Sequence, residues 1–150
     1  MRVKRTVPLE DEEYVGGVTS GRMLRAGGIA GYSVYVTTRR LIGAKNRKAL
    51  WKGIAGSAFG GVAGMYVGSK LSREANAQMI NELEQKKDFE VTKENVSSVE
   101  MKKPTFVHRG HMVISTTTGE PVKILLADGG DYKRLLELMQ SFRPEILTVV

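Results

Sequence analysis

YSVYVTTRRLIG, residues 32–43, sets the texture from which the chain can be read. Tyr32, Val34, Tyr35 and Val36 place aromatic and β-branched side chains in a short run bounded by glycine, the composition of a strand. Just upstream, AGGIAG at 26–31 supplies Gly27, Gly28 and Gly31 for a turn that needs positive φ. Before it, YVGGVTSGRMLR at 14–25 has the same strand texture. Residues 1–13 run from a basic start through Pro8 to Glu10-Asp11-Glu12-Glu13, and read as a solvated lead-in outside the sheet.

Downstream the character changes. Over 44–87, Ala, Leu, Lys, Glu, Gln and Met dominate and proline is absent, which predicts a long helical insertion. After Ser69, Leu71, Ala75, Met79, Ile80 and Leu83 recur at three- and four-residue steps with charges between them, an amphipathic helix. The first half of the insertion holds a glycine ladder, Gly56, Gly60, Gly64 and Gly68, along one side of a helix. Such a side admits close packing or self-association, as small-residue strips do in membrane helix pairs. The uncharged run Gly53–Ser69 sits at the short end of the ~17–25 residues that span a bilayer, so insertion or shallow embedding is a second reading and a mobile glycine loop a third.

The tail returns to strands: FEV, VSSVEMK, VHRGHMVIST and PVKILLA, separated by Lys93-Glu94-Asn95, Lys103-Pro104 and Thr118-Gly119-Glu120. In HMVIST, alternation sends Met112, Ile114 and Thr116 to one face and His111, Val113 and Ser115 to the other. DGGD at 128–131 ends the last strand, and Asp131 is expected to cap a helix whose stripe is Leu135, Leu138, Met139 and Phe142. Pro144 stops it.

The order is α+β: an antiparallel sheet or partly open barrel, a helical insertion at 44–87 and a C-terminal helix to cover an open end or face. Within it, VYVTTRRLIG resembles the strand–turn–strand signature of prokaryotic PH-like domains and their GRAM relatives, through Tyr35, Thr37, Arg40, Leu41 and Ile42. The downstream order, with FEVTKENVSSVEMKK, RGHMVIST, TTGEPVKILL and the closing DYKRLLELMQSFRPE, is similar to that family as well. The resemblance covers 14–43 and 88–147, and implies one PH-like domain over 1–150. The insertion departs from the family pattern, in which a short connection is expected.

Charge points to the partner class. The chain carries a formal net charge of +7. No acidic residue occurs from Val15 to Arg73, while ten basic ones do, a field suited to an anionic surface or to solubility alone. Arg39, Arg40, Lys45, Arg47, Lys48 and Lys52 are the candidate lipid- or anion-binding run; Gly56, Gly60, Gly64 and Gly68 are the candidate packing face. With no cysteine there is no disulfide framework or thiolate chemistry, which points to a reducing compartment. The N-terminus lacks the apolar region of a secretory signal.

Catalytic and metal roles find no pattern. His108 and His111 sit on opposite faces if their segment is a strand, with no nearby acid in sequence, and read as satisfied or exposed. GMYVGSK has the wrong spacing and order for a phosphate-cradling loop, and DGGD lacks the later oxygens of a calcium loop. No cofactor, metal or catalytic residue is expected. The leading expectation is a non-enzymatic binding module, cytoplasmic or peripheral at the inner face of the membrane, acting on an anionic bilayer or in assembly. A homo-oligomerising protein-interaction module without a lipid role is the alternative. Nucleic acid is a third, weakened by the low aromatic content of 7% and the lack of paired strand aromatics for stacking.

Overall fold

The computed structural model describes residues 12–27, 30–45 and 72–150. Within them the chain forms β1 (Tyr14–Arg25), β2 (Ala30–Thr37), β3 (Arg40–Lys45), α1 (Arg73–Lys86) and β4 (Phe89–Thr92). Then come β5 (Val96–Lys102), β6 (Gly110–Thr116), β7 (Val122–Leu126), α2 (Gly129–Phe142) and β8 (Leu147–Val149). The strands follow one hydrogen-bonded order, β4-β3-β2-β1-β7-β6-β5-β8. All neighbours are antiparallel except β5 and β8. Among the described residues no ladder joins β4 to β8, so the sheet is open and the α+β expectation holds without barrel closure.

Strand β1 links the two halves. It pairs with β2 from Tyr14 onward, shifts register between Ser20 and Leu24, and then pairs with β7 through Leu24 and Arg25. The irregularity bends the strand, which lets one face of the sheet wrap the core. That core holds Val34 and Val36 of β2, Leu41 of β3, Met101 of β5, Met112 and Ile114 of β6, and Ile124 of β7. Helix α2 seals it with Tyr132, Leu135, Leu138, Met139 and Phe142, the predicted stripe included.

The opposite face of β2 and β3 is buried too, at Tyr35, Ile42 and Ala44. Helix α1 packs on β3 and β1 and buries Met79, Ile80 and Leu83. Two covered faces explain why YSVYV and LIGA are apolar almost without alternation. Thus the C-terminal part of the expected insertion is a helix that covers the sheet. The glycine ladder, together with Arg47, Lys48 and Lys52, lies outside the described residues.

Four local expectations change. Strand β3 extends through Ala44 and Lys45, so the break in the sheet comes after Lys45 and not at 44. The helix cap is Asp128, whose carboxylate accepts from the Gly130 N–H at 3.2 Å, because Gly129 and Gly130 are already helical; Asp131 lies in the first turn. Val107, His108 and Arg109 belong to a loop, and β6 starts only at Gly110. Finally, LTV after Pro144 forms β8, a strand absent from the sequence reading.

Candidate functional site

The basic run begins on β3, and its described members have three different fates. Alternation on β3 turns Arg40, Ile42 and Ala44 toward α1. Arg40 meets carboxylates from three elements: Glu12 before β1 at 2.8 Å, Glu84 of α1 at 3.0 Å and Glu90 of β4 at 2.6 Å. Burial pulls the guanidinium pKa down, but the Glu12 hydrogen bond and the Glu12, Glu84 and Glu90 charges outweigh it and hold it above its ordinary value. Lys87 extends the cluster to Glu84 at 3.1 Å and Glu90 at 2.7 Å. For Glu90 the burial effect is upward, yet Lys87 and Arg40 hold its carboxyl below the usual range. The positive charge of Arg40 is therefore compensated inside the fold, which removes it from an exposed anion-binding run.

Glu12 shows why. Although it belongs to the acidic cluster read as solvated, it is 2% exposed. It accepts from Thr37 Oγ1 at 2.7 Å as well as from Arg40. Thr37 Oγ1 in turn accepts from the backbone N–H groups of Arg39 and Arg40, both at 3.0 Å, and so fixes the β2–β3 turn. Asn76 of α1 completes the clasp: its amide donates to the Glu12 carbonyl at 3.0 Å, and its Oδ1 accepts from the Tyr14 N–H at 2.7 Å. Lead-in, turn and insertion helix thus meet at one polar node. Only the pairing of residues far apart in the chain could have revealed it.

Arg39 is half-buried in the β2–β3 turn, at the start of β3. Lys45 is exposed at the far end of the same strand, so these cations do not converge on one patch. Near Lys45 stands a second polar group, around Asp88. The Asp88 carboxylate accepts from Tyr32 Oη at 2.6 Å and from Arg25 at 2.6 Å. The Tyr32 hydrogen bond, followed by the Arg25 bond and charge, holds the carboxyl below its usual range. Burial, and then Asp88, push the Tyr32 phenol up. Phe89 stacks on Tyr32 with centroids 6.4 Å apart and carries the Arg25 guanidinium 5.3 Å above its ring. Its ring lies where a Gly43 side chain would sit, since a Cβ there would stand 2.1 Å from Phe89 Cε2.

The histidines separate as well. His111 on β6 meets Glu100 of neighbouring β5 at 2.6 Å, an acid supplied by the adjacent strand. His108 is exposed in the β5–β6 loop. Among the described residues no group of three or more His, Cys, Asp or Glu side chains is placed to hold a metal ion. No helix among them is long and apolar enough to cross a membrane. Comparison with protein-family models, with curated proteins and with solved structures finds no match.

Proposed function

We propose that the chain is a PH-like, non-enzymatic binding module that works peripherally at an anionic membrane surface, on the cytoplasmic side. The observation that carries this reading is the disposition of charge. Among the described residues the carboxylates beside β3 are occupied: Glu12, Glu84 and Glu90 by Arg40 or Lys87, and Asp88 by Arg25 and Tyr32. Lys45 stands exposed where the chain leaves β3, and Arg47, Lys48 and Lys52 follow it in sequence with no acid among them. The open antiparallel sheet with α2 packed over it agrees with the PH-like expectation.

Each cation near an anionic bilayer contributes about 1 kcal/mol. Replacing Arg47, Lys48 and Lys52 together by glutamine is therefore expected to weaken sedimentation with phosphatidylserine-containing vesicles, and high salt should do the same to the parent. Absence of parent binding to such vesicles would overturn the membrane reading. Retained binding by the triple variant would exclude the basic run as its carrier.

A further inference from the structure

Between β5 and β6 the chain makes a loop whose tip has no apolar partner among the described residues. Phe106 is fully exposed and Val107 is 74% exposed, the largest exposures among the described large hydrophobic side chains. The tip is held in place. The Thr105 N–H donates to the His108 carbonyl at 2.8 Å, and the His108 N–H donates to Thr105 Oγ1 at 3.0 Å. This reciprocal closure puts Phe106 and Val107 at the two central positions of a tight turn. The base is held as well, because Gly110 lets the backbone pass where a Cβ would stand 2.1 Å from the Lys102 carbonyl oxygen. A collar of exposed cations surrounds the apolar pair: Lys102 and Lys103 before it, Arg109 after it. Among the described residues none of the three makes an ion pair. The neighbouring acid Glu100 faces His111, and no acid occurs in sequence from Met101 to Gly119.

We propose that this loop is a membrane-insertion tip: Phe106 and Val107 enter the acyl–headgroup boundary of an anionic bilayer while Lys102, Lys103 and Arg109 meet lipid phosphates. The inference rests on the membrane reading above and adds to it a contact on a different element. β3 and β5 run in opposite directions in the sheet, so the loop leaves the end opposite to Lys45. A bilayer fits the shape and charge of the loop. A convex two-residue apex offers an aromatic side chain of roughly 150–250 Å² plus one valine, far below the ~800 Å² per partner of a stable protein interface. A lipid boundary needs no matching pocket: it takes up a protruding apolar side chain and holds cations at its anionic surface. Val149 and Val150, also exposed, lie next to the loop base, since Val149 pairs with Met101 and the Val150 N–H donates to the Met101 carbonyl at 3.0 Å.

The test uses the full chain with phosphatidylcholine vesicles, with and without phosphatidylserine. Phe106→Ser with Val107→Ser should bind the phosphatidylserine vesicles about tenfold or more weakly, with an unchanged thermal midpoint because both side chains are exposed. Phe106→Trp in a Trp51→Phe background should give an indole emission that shifts to the blue on the anionic vesicles only. Parent-level binding by the serine variant, or a bound indole that still emits as if in water, overturns the insertion tip while leaving the membrane reading in place. Loss of vesicle binding in the serine variant supports the tip whether or not the Arg47, Lys48 and Lys52 triple variant also weakens, because that variant removes charge outside the loop. A parent that binds neither vesicle type overturns both. A serine variant that loses self-association in sedimentation, with vesicle binding intact, makes a second copy of the chain the occupant and also overturns the lipid assignment.

Discussion

Arg40 is one side chain on which three carboxylates converge, and its worth depends on how little water reaches it. Its side chain is 12% exposed and that of Glu12 is 1% exposed, whereas Glu84 and Glu90 keep contact with solvent. Removing the cation would strand Glu12 as a buried charge, and breaking such a pair costs far more than the ≈ 0–1 kcal/mol of an exposed one. Arg40→Met is expected to lower the unfolding free energy by roughly 3 kcal/mol in urea titration, and adding Glu12→Gln should recover part of the loss. A loss below about 0.5 kcal/mol would place the cluster among solvent-screened surface pairs. The residue pattern in RRLIG gives the strand, but not this role. A cation in a run of cations reads as exposed until its partners are known, and Glu12 is 28 residues away along the chain. The same long-range blindness hid Glu100 beside His111, because the acid sits on the neighbouring strand.

At the scale of elements, periodicity was a reliable guide wherever one face met the core. The β6 alternation is seen in Met112 and Ile114 buried and His111 and Val113 half-exposed, and the α2 stripe is buried throughout. End points were harder to read. DGGD offers an aspartate on either side of two glycines, and both can cap a helix; the chain uses the earlier one. Asp128 is extended, its side chain accepts from Gly130, and its carbonyl accepts from the Tyr132 N–H at 3.1 Å. Asp128→Ala should therefore cost about 1 kcal/mol by thermal or chemical unfolding, the usual loss of an N-cap. Asp131→Asn removes a first-turn charge together with its 3.3 Å pair to Arg134, so the comparison belongs in an Arg134→Ala background, where it should cost less. The reverse ranking would restore Asp131 as the cap. Strand β8 escaped notice because three residues after a proline carry no period of their own; β5 supplies its hydrogen bonds.

Across the whole molecule, proton linkage sets a window of stability. Asp88 and Glu90 titrate lower folded than unfolded, so the unfolded chain takes up protons first and stability falls as pH drops below about 4. Burial raises Tyr14 and Tyr35, and burial with Asp88 raises Tyr32. The unfolded chain then loses those phenolic protons first, and stability falls again as pH rises above about 10. Urea midpoints measured across pH should decline at both ends, the alkaline decline preceding tyrosinate absorbance in the folded protein; a flat acid limb would mean that the Asp88 and Glu90 contacts add nothing. The double partnership of β1 has another consequence, in time. Leu24 pairs with Leu125, so the first strand of the sheet waits for the seventh before both its edges are satisfied. At roughly 5–20 residues per second, a ribosome needs about 5–20 s to supply the intervening stretch. Such non-local pairing also slows closure once the chain is free. During synthesis the far end of β1 therefore goes without its second partner until Ile124 and Leu125 have left the ribosome.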